Sequence, residues 1–265
     1  MVDLKNYGYI ENNQSTDGTI PGRVTEVHRA QYIIMTVHGE VSAILKGAFL
    51  HKAVSRADLP CVGDFVLIQY NNSGASRIVK LLPRHSKFSR SDSFGHGYAH
   101  IKANGEQIIA ANFDYVFILT SLNHDFNVKR VARYVTQARR SGGLPIVVLT
   151  KSDLVESFSQ EIVAVRALDV PVHAVSTYTK FGMSALDEYL APGKTIVFLG
   201  MSGVGKSSLL NYLMAQEVMA VKGIRKDDSR GRHTTTHRQL FMLPSGSMVI
   251  DTPGMRELGL FQESH

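Results

Sequence analysis

Apolar and polar residues alternate in short runs along the first third of the chain, a pattern that predicts β-strands. Turn clusters such as His38-Gly39 and Asn71 to Gly74 separate the runs. The five predicted strands are Ile20 to Val27, Tyr32 to Val37, Val41 to Leu45, Asp64 to Tyr70 and Arg77 to Leu82. So many short strands in one segment indicate a small closed β-barrel of the OB type, which binds nucleic acid through one strand face and its loops. Barrels of this size also dock to proteins, so the pattern leaves both uses open.

Beyond Glu106 the pattern changes to strands that alternate with helices, which is typical of a parallel α/β sheet. Val128, Val131, Val135 and Ala138 recur at helical spacing and predict the first helix. The other predicted helices are Glu161 to Leu168, Met183 to Leu190 and Ser208 to Met214. The predicted strands are Asp114 to Thr120, Pro145 to Leu149, Val170 to Val175, Lys194 to Leu199, Gln239 to Leu243 and Ser247 to Ile250.

These patterned regions and the segments between them define the expected domains. Residues 1–18 lack periodicity and are rich in polar residues and glycine, so we expect a mobile tail, followed by the barrel over 19–83. Residues 84–105 are rich in Ser, Gly, His and basic residues, which predicts a basic linker whose aromatic rings suit stacking on bases. Residues 106–265 form the α/β domain. The expected fold class is α/β, with a small five-stranded OB-like β-barrel in front.

The stretch from Gly200 to Ser208 fits the phosphate-binding pattern G-x-x-x-x-G-K-[ST] between a strand and a helix. Its backbone N–H groups and the following helix N-terminus would cradle the phosphates of a nucleotide. Lys206 would reach the outer phosphates, and the Ser207 hydroxyl would coordinate Mg²⁺. The alternative is a glycine-rich turn that ends in Lys-Ser. The residues predicted to bind nucleotide here are Gly200, Met201, Ser202, Gly203, Val204, Gly205, Lys206, Ser207 and Ser208.

A second motif, Thr150-Lys151-Ser152-Asp153, follows a buried strand and fits the [NT]-K-x-D element of GTP-binding domains. The Asp153 carboxylate would accept hydrogen bonds from N1–H and N2–H₂ of guanine, a donor pair that adenine lacks. With ATP these acceptors would stay unpaired, which is costly. A backbone N–H near Ser176, after the next strand, is predicted to read the guanine oxygen. The predicted GTP-binding residues here are Thr150, Lys151, Ser152, Asp153 and Ser176; plain surface turns are the alternative.

The third motif, Asp251-Thr252-Pro253-Gly254, fits D-x-x-G, in which the aspartate supports Mg²⁺ and the glycine N–H meets the γ-phosphate. Hydroxyls for the metal also occur in Gly231 to Thr236. Met255 stands where Ras-like enzymes carry a water-orienting Gln, so we expect slow intrinsic hydrolysis, with His233 as the candidate for that role. The Mg²⁺ candidates are Ser207, Asp251, Thr235 and Thr236. The catalytic candidates are Lys206, Thr236, Gly254 and His233.

The order of these motifs differs from that of most GTPases, because the guanine motif comes first and the P-loop, the threonines and D-x-x-G follow it. The expected domain is therefore a circularly permuted P-loop GTPase. Such a domain still assembles, since permutation moves only chain ends, which usually lie at the surface. Two other interpretations fit the residues: a nucleotide-dependent RNA-binding switch with negligible hydrolysis, and a permuted ATPase.

The composition is that of an ordinary globular protein, with 265 residues, 44% of them hydrophobic and 20% charged. A net charge of +6 suits a polyanionic partner, and two acid-free basic groups favour RNA over a merely solvated face. The RNA-contact candidates are Arg77, Lys80, Arg84, Lys87, Arg90, Lys129, Arg130 and Arg133. A single cysteine, Cys61, excludes an internal disulfide and a cysteine-rich zinc site. No apolar run suits a membrane span or a signal peptide, so we expect a cytoplasmic monomer without membrane contact.

Taken together, the motifs resemble the family of ribosome small subunit-dependent GTPase A (RsgA). The resemblance covers nearly all of the chain after about residue 20 and is carried by the barrel, Leu122 to Asn127, Thr150 to Asp153, Gly200 to Ser208, Gly231 to Thr236 and Asp251 to Gly254. It implies an enzyme that converts GTP to GDP and phosphate, binds the small (30S) ribosomal subunit and its rRNA late in maturation, is stimulated by it and leaves after hydrolysis. Members usually continue into a C-terminal zinc-binding domain with Cys and His ligands. This chain ends at His265, so no zinc is expected within it.

Overall fold

The computed structural model describes residues 1–10, 18–28, 31–92, 105–123, 126–218 and 238–251. Five strands form the predicted barrel: β1 Ile20–His28, β2 Gln31–Thr36, β3 Gly39–Leu45, β4 Phe65–Gln69 and β5 Ser76–Leu81. The barrel closes because β1 pairs with both β2 and β4, while β3 runs parallel to β5. Helix α1 (Gly47–Lys52) and a 3₁₀ turn (Arg56–Asp58) connect β3 to β4. Apolar residues from every strand, including Val24, Ile34 and Ile78, fill the interior.

The second part of the chain alternates strands and helices, as predicted. Its elements are β6 Lys87–Asp92, β7 Gly105–Ala111, β8 Tyr115–Ser121, α2 Val128–Arg140, β9 Leu144–Thr150, α3 Ser159–Arg166, β10 Val172–Ala174, β11 Thr195–Leu199, α4 Lys206–Met214, β12 Gln239–Met242 and β13 Met248–Asp251. Short 3₁₀ helices occupy Ser152–Leu154 and Met183–Tyr189. In the sheet the order is β10-β9-β8-β11-β13-β12, parallel except for β12.

Both faces of the parallel sheet are covered, which explains the continuous apolar runs of its strands. Successive residues of β8 alternate between the faces: Val116 and Ile118 pack on the side of α2, and Phe117 and Leu119 on the side of α4. The amide oxygen of Asn127 caps α2 by accepting from the Arg130 N–H at 3.0 Å. In the described part of the chain, no helix is long and apolar enough to cross a membrane.

The first ten residues differ from the predicted mobile tail. They form a 3₁₀ helix, Leu4–Tyr7, and the Val2 N–H donates to the Val37 carbonyl at 3.0 Å. Leu4 and Tyr9 are buried in a cluster against the outside of the barrel. Two isolated apolar side chains give no periodic signal in a sequence, yet they suffice to hold a short segment against a complementary surface.

The predicted basic linker over residues 84–105 contains a strand. β6 pairs antiparallel with β7 in a two-stranded sheet. Phe88 of β6 is buried and stacks on Phe113, with ring centroids 4.9 Å apart. Serine and basic residues on either side of Phe88 obscured the alternation that would have predicted this strand.

Arg23 on β1 links the barrel to the α/β part. Its fully buried guanidinium donates to three backbone carbonyls, those of Tyr7 at 2.6 Å, Asn112 at 2.7 Å and Gly63 at 3.2 Å. Burial lowers the pKa of Arg23 to about 10, while Asp114 and Asp64 oppose that shift. The side chain therefore stays charged at neutral pH, and carbonyl dipoles from the N-terminal segment, the barrel and the β7–β8 turn replace its hydration.

Candidate functional site

Four of the predicted motif segments lie at the carboxyl ends of parallel strands. Thr150 ends β9, Ser176 follows β10, Gly200 follows β11 and Asp251 ends β13. Because these strands and β8 run parallel, their carboxyl ends share one edge of the sheet. Parallel α/β sheets bind ligands outside this edge. The fold thus brings together segments that the chain order separates.

The P-loop connects β11 to α4 and lies tightly against the end of β8. A Cβ on Gly200 would stand 2.5 Å from the Leu119 carbonyl oxygen, so only glycine fits there. Val204 is buried beneath the loop with residues of α4. The Lys206 ammonium donates to the carbonyls of Gly200 and Met201, both at 2.6 Å. The loop therefore presents backbone N–H groups, a helix N-terminus and an ammonium at one place, the set of donors that suits a polyphosphate.

The guanine motif contacts the P-loop directly. The Thr150 hydroxyl donates to the Val204 carbonyl at 2.6 Å. A Cβ on Gly205, whose φ is +99°, would lie 3.8 Å from the Thr150 Cβ. The Leu122 N–H, after β8, donates to the Thr150 carbonyl at 3.0 Å. The loops after β8, β9 and β11 are thus held together by hydrogen bonds.

The rest of the guanine motif turns sharply after β9. Lys151 adopts a left-handed conformation with φ +59°, and a 3₁₀ turn follows. The Ser152 N–H donates to the Val175 carbonyl at 3.2 Å, which joins this turn to the end of β10. Asp153 is exposed at the surface of the turn. Its carboxylate is therefore accessible to a base at the sheet edge.

Ser176 is fully buried and organises the loop after β10. Its hydroxyl accepts from the N–H groups of Tyr178 at 3.2 Å and Thr179 at 3.1 Å, and its own N–H donates to the Phe181 carbonyl at 3.0 Å. That N–H is therefore committed within the protein. The next one, of Thr177, has no hydrogen-bond partner among the residues that the structure describes. The backbone N–H near Ser176 that would contact the guanine oxygen stays a prediction, and the Thr177 N–H is a donor still available to a ligand at this corner.

Two of the predicted magnesium residues lie on neighbouring elements. Ser207 is in the first turn of α4, and Asp251 ends β13. Because Val197 pairs with Ile250, Asp251 lies beside Phe198, two residues before the P-loop. A hydroxyl and a carboxylate are oxygen donors of the kind that Mg²⁺ prefers, so the residues present fit that ion. The remaining predicted residues, Thr235, Thr236, His233 and Gly254, lie outside the described residues. Among those described, no group of three or more His, Cys, Asp or Glu side chains could hold a metal.

Most of the predicted RNA-contact residues are at the surface. Arg77, Lys80, Arg90, Lys129 and Arg133 are exposed, and Arg130 is partly exposed. Lys87 is also exposed, and its ammonium pairs with the two Glu106 carboxylate oxygens at 3.0 and 3.1 Å. Exposed positive charges thus occur on β5, on β6 and in the first turns of α2.

Arg84 is the exception among these candidates. Its guanidinium donates to both Asp64 oxygens, at 2.7 and 2.6 Å, and to the carbonyls of Ala57 and Leu59. The Arg84 side chain is only 12% exposed. Burial tends to lower the pKa of Arg84, but the hydrogen bonds and charge of Asp64 outweigh it and raise that pKa. Because its guanidinium donates four hydrogen bonds to Asp64, Ala57 and Leu59, Arg84 is a structural residue with little donor capacity left for RNA.

The fold and the motif geometry together define a P-loop GTPase whose connectivity is circularly permuted. The family model described as RsgA GTPase matches residues 81–261. The chain is 44% identical to "Small ribosomal subunit biogenesis GTPase RsgA 2" of Lactiplantibacillus plantarum over 98% of this chain and 73% of that protein. It is 47% identical to the RsgA 1 protein of Listeria monocytogenes over 90% of this chain and 66% of that one. The chain belongs to the RsgA GTPase family.

Two solved structures share the fold. YjeQ from Thermotoga maritima superposes with a TM-score of 0.65 at 24% identity, over 91% of this chain and 77% of that one. YloQ, described as a circularly permuted GTPase, superposes with a TM-score of 0.62 at 20% identity, over 94% of this chain and 76% of that one. The predicted fold class is thereby confirmed.

Proposed function

We propose that this chain hydrolyses GTP to GDP and phosphate and acts in the biogenesis of the small ribosomal subunit. The observation that carries the proposal is the meeting of the guanine motif and the P-loop, through the hydrogen bond between Thr150 and the Val204 carbonyl. The names of the relatives, which describe small ribosomal subunit biogenesis GTPases, support the ribosomal role.

In the proposed site, guanine is recognised by the Asp153 carboxylate and by the Thr177 N–H, because together they match the donors and the acceptor on one edge of that base. The stem of Lys151 packs along the base plane. The P-loop N–H groups and Lys206 bind the phosphates and offset the charge that develops on them during hydrolysis. Lys206 is well placed for this, because two loop carbonyls hold its ammonium beside the phosphate-binding backbone.

The proposed metal residues are Ser207 and Asp251, joined by Thr235 and Thr236 from the loop before β12. When bound, Mg²⁺ would neutralise charge on the phosphate oxygens. We further propose that the Gly254 N–H donates to the γ-phosphate and that His233 orients the attacking water, which Met255 cannot do.

The proposed partner is the small subunit and its rRNA, in the cytoplasm, with the protein acting as a monomer. The barrel over about residues 19–83 and the basic helix α2 would contact RNA phosphates, and the domain over about 106–265 would carry the GTPase site. Among the residues proposed for RNA contact, several are exposed, so their positive charge is accessible: Arg77, Lys80, Arg90, Lys129 and Arg133.

Nucleotide specificity tests the site. Calorimetry should detect binding of GTP and GDP, and excess ATP should not displace them. Asp153→Asn should shift the preference from guanosine to xanthosine nucleotides, because the amide presents a donor where the carboxylate accepts. Displacement by ATP, or an Asp153→Asn variant with unchanged specificity, would refute the proposed guanine site.

Co-sedimentation tests the ribosomal role. The chain should pellet with purified small subunits and not with large subunits, more strongly with a non-hydrolysable GTP analogue than with GDP. Small subunits should also accelerate GTP hydrolysis. Hydrolysis that does not respond to small subunits would instead favour a binding switch with negligible catalysis.

A further inference from the structure

Three side chains on three neighbouring strands form a row between the barrel and the candidate magnesium site. Glu26 of β1 is directly opposite Gln239 of β12, and Gln239 is directly opposite Asp251 of β13. The Gln239 amide Nε2 donates to Glu26 Oε1 at 2.6 Å. Because β12 is the strand that joins the barrel to the parallel sheet, Gln239 lies between a barrel residue and a site residue.

The row lies on the face of the sheet that carries the P-loop helix. Val249 and Phe241 pack in the same cluster as Leu209 of α4, whereas Ile250 and Leu240 pack on the opposite face. Asp251 is two residues from Val249, so the alternation of a strand directs its side chain to the α4 face. Gln239 is two residues from Phe241 and shares that face by the same reasoning. Residues directly opposite in an antiparallel pair have Cβ atoms about 5 Å apart, close enough for Gln239 to restrict Asp251.

A β-bulge in β1 directs Glu26 towards this row. Val24 pairs with Ile34 but Glu26 pairs with Ile33, so Thr25 is an extra residue in β1. Val24 packs inside the barrel. Without the bulge, Glu26 would point to the same side as Val24, into the apolar interior. Bulges commonly re-aim a side chain in this way, and here the re-aimed carboxylate accepts from Gln239.

The second oxygen of Glu26 is also fixed. Glu26 Oε2 lies 2.7 Å from His28 Nε2 at the end of β1. The carboxylate is therefore held on both sides, by a residue of its own strand and by β12. Glu26 and Gln239 form the register pair between β1 and β12. A displacement of β1 would therefore move Gln239 first among the residues of β12.

We propose that Gln239 is a positioning residue that couples the barrel to magnesium retention at the nucleotide site. By holding β12 against Glu26, it sets the position of the neighbouring Asp251. An RNA or protein that moves β1 would thereby change how tightly Mg²⁺ and nucleotide are held, and nucleotide state would in turn alter the barrel, because coupling is reciprocal. This inference rests on the proposed GTP site.

The test is the Mg²⁺ dependence of fluorescent GDP release, measured by stopped flow in the full chain. Gln239→Glu places a second carboxylate against Glu26, and the Mg²⁺ concentration for half-maximal retention should rise about fivefold to tenfold. Adding Glu26→Gln to the Gln239→Glu variant again pairs one amide with one carboxylate. The Mg²⁺ concentration for half-maximal retention should then return to within about twofold of the wild-type value. Glu26→Ala, which changes only a barrel residue, should also raise the Mg²⁺ concentration needed for half-maximal retention. Turnover at saturating Mg²⁺ and GTP should change far less.

Glu26→Ala adds no charge beside Asp251 and therefore separates positioning from added charge, and a matched control at a distant site separates both from a general effect of a Gln→Glu change. Gln107, whose Oε1 accepts from Arg90 Nε at 2.9 Å in the separate β6–β7 sheet, serves as the control site. Gln107→Glu should leave the Mg²⁺ requirement unchanged, and thermal unfolding is recorded for every variant. The inference is overturned if Gln239→Glu and Glu26→Ala leave the requirement unchanged, or if Glu26→Gln fails to rescue Gln239→Glu. Absence of GDP binding by the wild type would instead refute the proposed function itself, and this inference with it.

Discussion

The Thr150 hydroxyl donates to the Val204 carbonyl at 2.6 Å, across 54 positions of the chain. The bond connects the loop proposed to recognise the base with the loop proposed to bind the phosphates. Thr150 and Val204 are both buried, so water does not compete for this hydrogen bond. The relative position of the two halves of the nucleotide site is therefore set by a direct contact between them, whichever half comes first in the chain.

Replacing Thr150 should weaken nucleotide binding. Thr150→Val removes the hydroxyl and leaves the Val204 carbonyl buried without its donor, which costs about 1–3 kcal/mol. We expect a loss of about that size in the free energy of unfolding and GDP affinity lowered by about tenfold, measured by urea unfolding and calorimetry. Thr150→Ser, which keeps the hydroxyl, should retain most of the wild-type stability and most of the GDP affinity. Thr136→Val removes a hydroxyl hydrogen bond from the exposed face of α2 and is the control; an equal effect there would contradict the assignment.

The ion pair of Arg84 and Asp64 should stabilise the barrel without serving RNA binding. Arg84→Ala leaves the fully buried Asp64 carboxylate without its cation, and breaking such a pair costs about 3–5 kcal/mol of unfolding free energy. Arg77→Ala, at an exposed position, should change the free energy of unfolding by less than about 0.5 kcal/mol while weakening binding to a short RNA. Urea unfolding and RNA titration on both variants check this. A fully stable Arg84→Ala variant with weak RNA binding would reverse the assignment.

The N-terminal segment should contribute to stability. Leu4 is buried against the barrel, and Leu4→Ala should lower the free energy of unfolding by about 2–3 kcal/mol, the low end of the range for buried leucines because the segment can adjust. Ile10→Ala, at a position 83% exposed, is the matched control and should be nearly neutral. Limited proteolysis should cleave the Leu4→Ala variant faster within its first ten residues. Equal stability of both variants would restore the interpretation of a mobile tail.

His173 should make the protein less stable in mild acid. Burial lowers the pKa of His173 below its ordinary value of 6.5, although the nearby Glu188 opposes the shift. The unfolded chain then binds this proton more readily than the folded one, so stability is greatest above pH 6.5 and falls as the pH drops through the folded-state pKa. Urea unfolding between about pH 7.5 and 5 should show a shallower decline for His173→Gln than for wild type. An identical decline would show that other groups account for it.

The candidate site was largely predictable from sequence because its motifs are local. Gly200 to Lys206 specifies a turn and a helix N-terminus within a few residues, and the apolar runs before Thr150 and Gly200 specify buried strands. The five barrel strands and the permuted order could be read for the same reason. What these patterns could not give is which N–H is already used, as at Ser176, because that depends on where the Phe181 carbonyl comes to lie.

The sequence by itself determined the elements, their order and the chemistry of the nucleotide loops, since backbone preference, periodicity and motif spacing act over a few residues. Only the tertiary structure decided that Leu4 packs on the barrel, that Arg84 is committed to Asp64 and that a bulge at Thr25 turns Glu26 towards Gln239. The physical reason is that each of these contacts joins residues far apart in the chain. Their formation depends on how all the strands pack together, and no single stretch of sequence specifies that packing.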